Sequence, residues 1–129
     1  MEKLSFFNLA SQRLAWLTES QRVVSENVAN SDTPGFKARK AASFEDVLSA
    51  TRTAELQTPD ARHIRGSGAA TGAKVRIDEN AWSESLNGNT VALEQQAIQA
   101  NEITENYQLA ASLYRKGHDL IRLAVTGVR

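Results

Sequence analysis

A seven-residue repeat near the C-terminal end constrains this chain most. Leu93, Ala100, Tyr107, Tyr114, Ile121 and Val128 recur at every seventh position, and Ile103, Ala110, Gly117 and Ala124 fill the complementary place between them. An a/d pattern sustained this long predicts a helix from near Val91 to near Thr126 that lays one stripe against another helix. About 35 residues at ~1.5 Å each make a rod of ~50 Å. That is too long for the compact interior of a chain of 129 residues. A second stripe, Ile98, Leu109, Leu113, Leu120 and Leu123, broadens the apolar face. A face wider than one seam calls for more than one neighbour. Small residues at Ala110, Ala111, Gly117 and Ala124 permit close approach. Length, breadth and small residues together favour burial in an assembly.

The N-terminal end carries a matching pattern. Phe7, Ala10, Leu14, Leu17, Gln21, Val24 and Val28 follow steps of three and four, with Gln21 the single polar seam position. The spacing predicts a helix over 4–29, with Leu4 and Trp16 widening its face. The expected fold is mainly α. Long terminal helices pair as an α-helical coiled coil, and a short helix and a flexible, β-containing middle segment lie between them. The expected packing interface is Phe7, Leu14, Leu17, Val24 and Val28 against Leu93, Ala100, Ile103, Tyr107, Ala110, Tyr114 and Ile121. The chain divides into an N-terminal axial helix (1–30), a turn, short helix and middle segment (31–86), and a C-terminal axial helix (87–129), all in one structural domain.

The first helix runs into N-V-A-N-S-D-T-P-G-F-K, Asn27 to Lys37. Asn30 can end a helix because asparagine tolerates left-handed dihedrals. Proline disfavours the helical region at Thr33, and Pro34-Gly35 supplies the fixed φ and the positive φ of a type II turn. Phe36 follows as one large apolar anchor, then Lys37, Arg39 and Lys40 as a basic patch. Ser43, with Asp46 three residues on, predicts the cap of a short helix over 43–51 with Phe44, Val47 and Leu48 on one face. Residues 52–81 show little periodicity and hold a small, glycine-rich run, so flexibility is expected there. Val75 to Asp78 alternates and is a candidate strand. Asn87-Gly88-Asn89 marks the entry of the second long helix, with Asn89 or Thr90 as its expected N-cap.

The catalytic residue types are sparse. The chain has no cysteine, which leaves no disulfide and no thiolate ligand, and only two histidines, His63 and His118. Neither histidine has a partner at zinc-ligand spacing. The glycine-rich run R-G-S-G-A-A-T-G lacks the Lys-Ser/Thr of a phosphate-binding loop and the G-x-S-x-G of a nucleophile elbow. No catalytic residue, metal ligand or cofactor is therefore expected, and no enzyme activity. Lysine plus arginine equals 15, as does aspartate plus glutamate. That balance gives no general pull toward nucleic acid or anionic lipid. No stretch approaches a membrane span, and the N-terminus lacks the apolar core of a cleaved secretory signal.

Two long terminal helices joined through N-V-A-N-S-D-T-P-G-F-K resemble the flagellar axial protein family of rod, hook and hook-associated subunits. The signature positions are Asn27, Val28, Ala29, Asn30, Asp32, Thr33, Pro34, Gly35, Phe36 and Lys37. N-G-N-T-V-A-L-E (Asn87 to Glu94) and E-N-Y-Q-L-A-A-S-L (Glu105 to Leu113) resemble the last helix of the short proximal rod members. Asn87, Ala92 and Lys40-Ala41-Ala42 depart from that pattern. The resemblance covers residues 5–50 and 85–126. It implies a structural subunit of the bacterial flagellar basal body, placed in the periplasmic rod and exported by the flagellar type III apparatus without a cleaved signal. The partners it implies are copies of the same chain, the rod proteins FlgC, FlgF and FlgG, the adaptor FliE, and the export-gate proteins FliP and FliR. A cytoplasmic coiled-coil adaptor or export chaperone is the alternative.

Overall fold

The computed structural model describes residues 2–55 and 73–127, with the side chains of 2–4 and 51–55 excepted. Five elements follow in order: α1 (Glu2–Ala29), β1 (Arg39–Ala41), α2 (Phe44–Glu55), β2 (Val75–Ile77) and α3 (Leu93–Thr126). The 28 residues of α1 and the 34 of α3 form an antiparallel hairpin. Its direction follows from paired levels along the two helices. Phe7 meets Tyr114 and His118 at ring distances of 5.3 and 4.4 Å. Leu17 and Gln21 share a groove with Ile103 and Tyr107. Asn27 bonds to Gln96. The expected pairing of terminal helices is thus realised within one chain.

The helices start and stop for local reasons. Hydroxyls within α1 satisfy themselves: Thr18 donates to the Leu14 carbonyl and Ser20 to that of Trp16. Asn30 ends α1, but not through the left-handed backbone expected of it, since positive φ among the described residues occurs only at glycines. Instead its side-chain amide donates back to the Glu26 carbonyl at 2.8 Å. Ser43 caps α2 as expected, accepting from the Asp46 N–H at 3.2 Å. The N-cap of α3 is Ala92 in extended conformation, without a side-chain cap, rather than Asn89 or Thr90. Those two side chains are engaged elsewhere. Gly127, at φ 62°, closes α3 by donating to Leu123 O.

Of the middle segment expected over 52–81, residues 56–72 lie outside the described residues, and the candidate strand at Val75–Asp78 is present as β2 (Val75–Ile77). Residues 52–55 belong to α2. Residues 75–77 form β2, antiparallel to β1 with Arg39 opposite Ile77 and Ala41 opposite Val75. The ladder is extended by Ala42 N–H donating to Lys74 O and Asp78 N–H to Ala38 O. β1 was missed because Arg39-Lys40-Ala41 lacks both alternation and β-branched residues. His63, the run R-G-S-G-A-A-T-G and Val128 lie outside the described residues.

The core is small. Leu17, Val23 and Val24 of α1 are buried with Ala38, Ala41, Ala42, Ala73 and Ala92. Trp16 widens the buried face of α1 as expected: its indole N–H donates to Ala42 O at 2.7 Å, and its ring meets Phe44 of α2 at 5.9 Å. Arg13 lies over both rings, at 4.6 and 4.9 Å. Many large apolar side chains stay exposed, including Phe6, Leu9, Ile98, Leu109, Leu113 and Leu120.

Candidate assembly site

The two stretches that read as separate punctuation marks in the sequence form one joint. The Thr33–Phe36 turn has the expected form: Phe36 N–H donates to Thr33 O, and Gly35 has φ 72°. Against it lies the Asn87–Thr90 loop. Gly35 N–H donates to Asn87 O at 2.9 Å, and Thr90 N–H to Phe36 O at 3.1 Å. Thr90 Oγ1 accepts from Ala38 N–H at 2.8 Å. Gly88, at φ 81°, faces Gly35 so closely that a Cβ on it would lie 3.5 Å from Gly35 Cα.

Asn89 is the pin of this joint. Its Nδ2 donates to Asn30 O and Thr33 O at 2.9 and 2.8 Å, and its Oδ1 accepts from Val91 N–H. The residue is nearly fully buried. Each donor and acceptor of the amide therefore has a partner, as burial of an amide demands.

Asn27 is the second pin and is 0% exposed. Its Oδ1 accepts from Arg39 N–H at 2.9 Å, and its Nδ2 donates to Arg39 O at 2.8 Å and to Gln96 Oε1 at 2.9 Å. One side chain thus holds α1, β1 and α3 together. Lys37 pairs with Glu84 at the surface, and Arg39 stacks over Phe36 at 5.8 Å. The basic patch is partly spent on internal contacts.

The expected interface residues divide into two groups. Leu17 and Val24 are buried inside the hairpin, and Phe7, Leu14, Ala100, Ile103, Ala110, Tyr114 and Ile121 are half-buried along it. Val28, Leu93 and Tyr107 remain 45%, 51% and 44% exposed. Of the signature, Asn27 is buried, Asn30 and Phe36 are half-buried, and Val28, Ala29, Asp32, Thr33, Pro34, Gly35 and Lys37 are exposed. Asn87, Gly88 and Asn89 meet the signature directly.

Sequence reasoning missed Gln95 and Gln96, and it gave Thr90 and Asp78 other roles than the ones they fill. Gln95 accepts from Trp82 N–H and donates to Asn80 O, fastening the 79–86 segment to α3. Asp78 accepts from Asn80 N–H. The polar Gln95-Gln96 pair inside the first turn of an apolar helix was the available signal. Among the described residues no cluster of carboxylates or imidazoles could hold a metal, and no helix is long and apolar enough to cross a membrane. His118 is exposed and packs on Phe7 and Tyr114.

Known proteins share this arrangement of sequence. The family model described as flagella basal body rod protein matches residues 7–37, from Phe7 within α1 through the turn to Lys37. A flagellar basal body rod protein FlgB of Agrobacterium fabrum is 31% identical, over 97% of this chain and 96% of that one. One of Cereibacter sphaeroides is 27% identical over 91% of each. That of Bacillus subtilis is 28% identical over 83% of this chain and 82% of its own. The match to the first of these runs through both long helices and both halves of the joint, and the chain belongs to the flagellar basal body rod protein FlgB family.

Proposed function

We propose that the protein is a structural subunit of the proximal rod of the flagellar basal body. In this reading it is exported through the flagellar type III apparatus and assembles helically through its terminal helices. It links the export gate and membrane-ring region to the rest of the rod. Its partners are copies of itself, FlgC, FlgF, FlgG, FliE and the gate proteins FliP and FliR, and it catalyses no reaction. The observation that carries this reading is the exposure of Val28, Leu93 and Tyr107, with Leu109, Leu113 and Leu120, along a hairpin whose own core is small. An isolated chain gains little from so long an apolar helix, whereas packed neighbours would bury it at about 25 cal/mol per Å².

Deleting the gene should abolish rod formation and motility, and expression in trans should restore both. Normal rods in the deletion strain would sink the reading. Recovery of the protein only from the cytoplasm of flagellated cells would favour an adaptor or chaperone instead.

A further inference from the structure

The β1–β2 ribbon has one filled edge and one open edge. Ala42 N–H donates to Lys74 O and Asp78 N–H to Ala38 O, in the register that sets Lys40 opposite Arg76. By the alternation of an antiparallel ladder, residues 74, 76 and 78 turn their backbone groups toward β1. The N–H and C=O of Val75 and Ile77 therefore point away from it. On the far side of β1 the corresponding groups of Arg39 are taken by the Asn27 amide. Among the described residues nothing bonds to those of Val75 and Ile77, and the Ile77 side chain is exposed. Such an edge is a template for one more strand.

The charge on the ribbon selects the strand. Lys40 and Arg76 lie directly opposite each other, and Lys74 follows Arg76 on the same face. All three are exposed. Like charges directly opposite, with Cβ atoms about 4.5–5.5 Å apart, destabilise a strand pair. Among the described residues ion pairs engage only Arg22 and Lys37, so no carboxylate offsets Lys40 and Arg76. Asp78 shares their face, but it is buried and accepts from Asn80 N–H. Basic residues on an edge strand can serve simply to repel other edges. That does not account for Lys40, which lies on β1, where Asn27 already fills the edge. Anionic side chains over this face account for all three.

We infer that the β2 edge takes an extended acidic segment of a partner protein as a third, antiparallel strand. The backbone of that segment pairs with Val75 and Ile77. Its side chains alternate, with carboxylates opposite Arg76 and Lys74 and apolar groups opposite Val75 and Ile77. The site is built from the ribbon rather than from the helix stripes, so it stands whether or not the chain is a rod subunit.

Fluorescein-labelled peptide T-V-E-V-E-T, added to the purified full chain and followed by fluorescence anisotropy, should bind and should slow exchange of the Val75 and Ile77 amides. T-V-K-V-K-T should bind at least about ten-fold more weakly, the worth of one charge-assisted hydrogen bond. T-V-E-P-E-T lacks the N–H aimed at Val75 O and should lose binding. Arg76→Glu sets a carboxylate opposite Lys40, which favours the ribbon. That variant should stay folded by circular dichroism and lose the preference for the acidic peptide. No binding of T-V-E-V-E-T, equal binding of the lysine peptide, undiminished binding of the proline peptide, or an unchanged preference in Arg76→Glu would overturn the added strand. Binding of the chain to phosphatidylglycerol vesicles in place of the peptide would overturn it too, and would make this face a lipid surface. None of these outcomes bears on rod formation, which the gene deletion tests separately.

Discussion

Gly35 and Gly88 meet back to back, each in a left-handed conformation, across a joint whose halves are more than fifty residues apart. A Cβ on Gly88 would reach van der Waals contact with Gly35 Cα at 3.5 Å. A Cβ at Gly35 meets nothing within 4 Å, so its substitution isolates the conformational penalty. Gly35→Ala should destabilise the chain by about 1–2 kcal/mol, with Gly35→Asn recovering part of the loss. Urea unfolding followed by circular dichroism measures both.

Replacing the buried pin Asn27 strands more than one group. In Asn27→Leu the amide and carbonyl of Arg39 lose their side-chain partners, and Gln96 Oε1 loses its donor. The expected loss is about 2–3 kcal/mol. Amide exchange should show faster opening of Arg39 and its β1 neighbours.

Gly117 lies beneath two rings. A Cβ there would come within 2.9 Å of Phe6 Cε1 and 3.3 Å of Phe7. Alanine gains helix propensity but must displace Phe6, which is exposed and can swing away. Gly117→Ala should therefore change stability by less than about 1 kcal/mol. Gly117→Leu must also displace Phe7 from Tyr114 and His118, at about 1–3 kcal/mol. Near-ultraviolet circular dichroism of the aromatic cluster reports the displacement.

Exposure separates two charge substitutions along the seam. Leu17 is 1% exposed, so Leu17→Asp buries an unpaired carboxylate and should unfold the hairpin. Tyr107 is 44% exposed. Tyr107→Asp should leave the purified chain folded by circular dichroism yet fail to restore rods in a deletion strain.

The acidic range tests the surface triad of α1. Arg22 bonds to Glu19 at 2.6 Å and lies 3.3 Å from Glu26. The hydrogen bond from Arg22 holds the Glu19 carboxyl below its ordinary value. A depressed folded-state pKa contributes stability above the unfolded value and loses it as pH falls through the folded one. Because the pair is largely solvated, Glu19→Gln should cost under about 0.5 kcal/mol at neutral pH. The difference from the parent should vanish below the carboxylate range, as thermal melts at pH 7 and pH 3 would show.

Periodicity made the two long helices legible, with the C-terminal end of each placed near Ala29 and Thr126. It could do so because a stripe is a local property of one segment. Local chemistry also revealed the Pro34-Gly35 turn and the Ser43 cap. The joint itself was not legible. Asn89 read as a helix cap because its preference for the extended region before a helix is local, whereas its bonds to Asn30 and Thr33 join distant segments. β1 was invisible for a related reason: Arg39 is held by Asn27 and by β2, not by any propensity of its own. In the sequence Asn27 reads only as the first position of the N-V-A-N-S-D-T-P-G-F-K string. Only the fold shows that Arg39 and Gln96 account for it.

The backbone bond from Ala42 N–H to Lys74 O has a consequence for the stretch between its two partners. It clamps the departing and returning strands together, so the intervening stretch leaves and re-enters the hairpin through one gate. The entropy of closing a loop grows only with the logarithm of its length, at about 0.6 kcal/mol per doubling. Closure entropy alone therefore makes the number of residues between these two partners a weak determinant of hairpin stability, while Phe44 against Trp16 and the buried Ala73 tie the two ends of the stretch to the core.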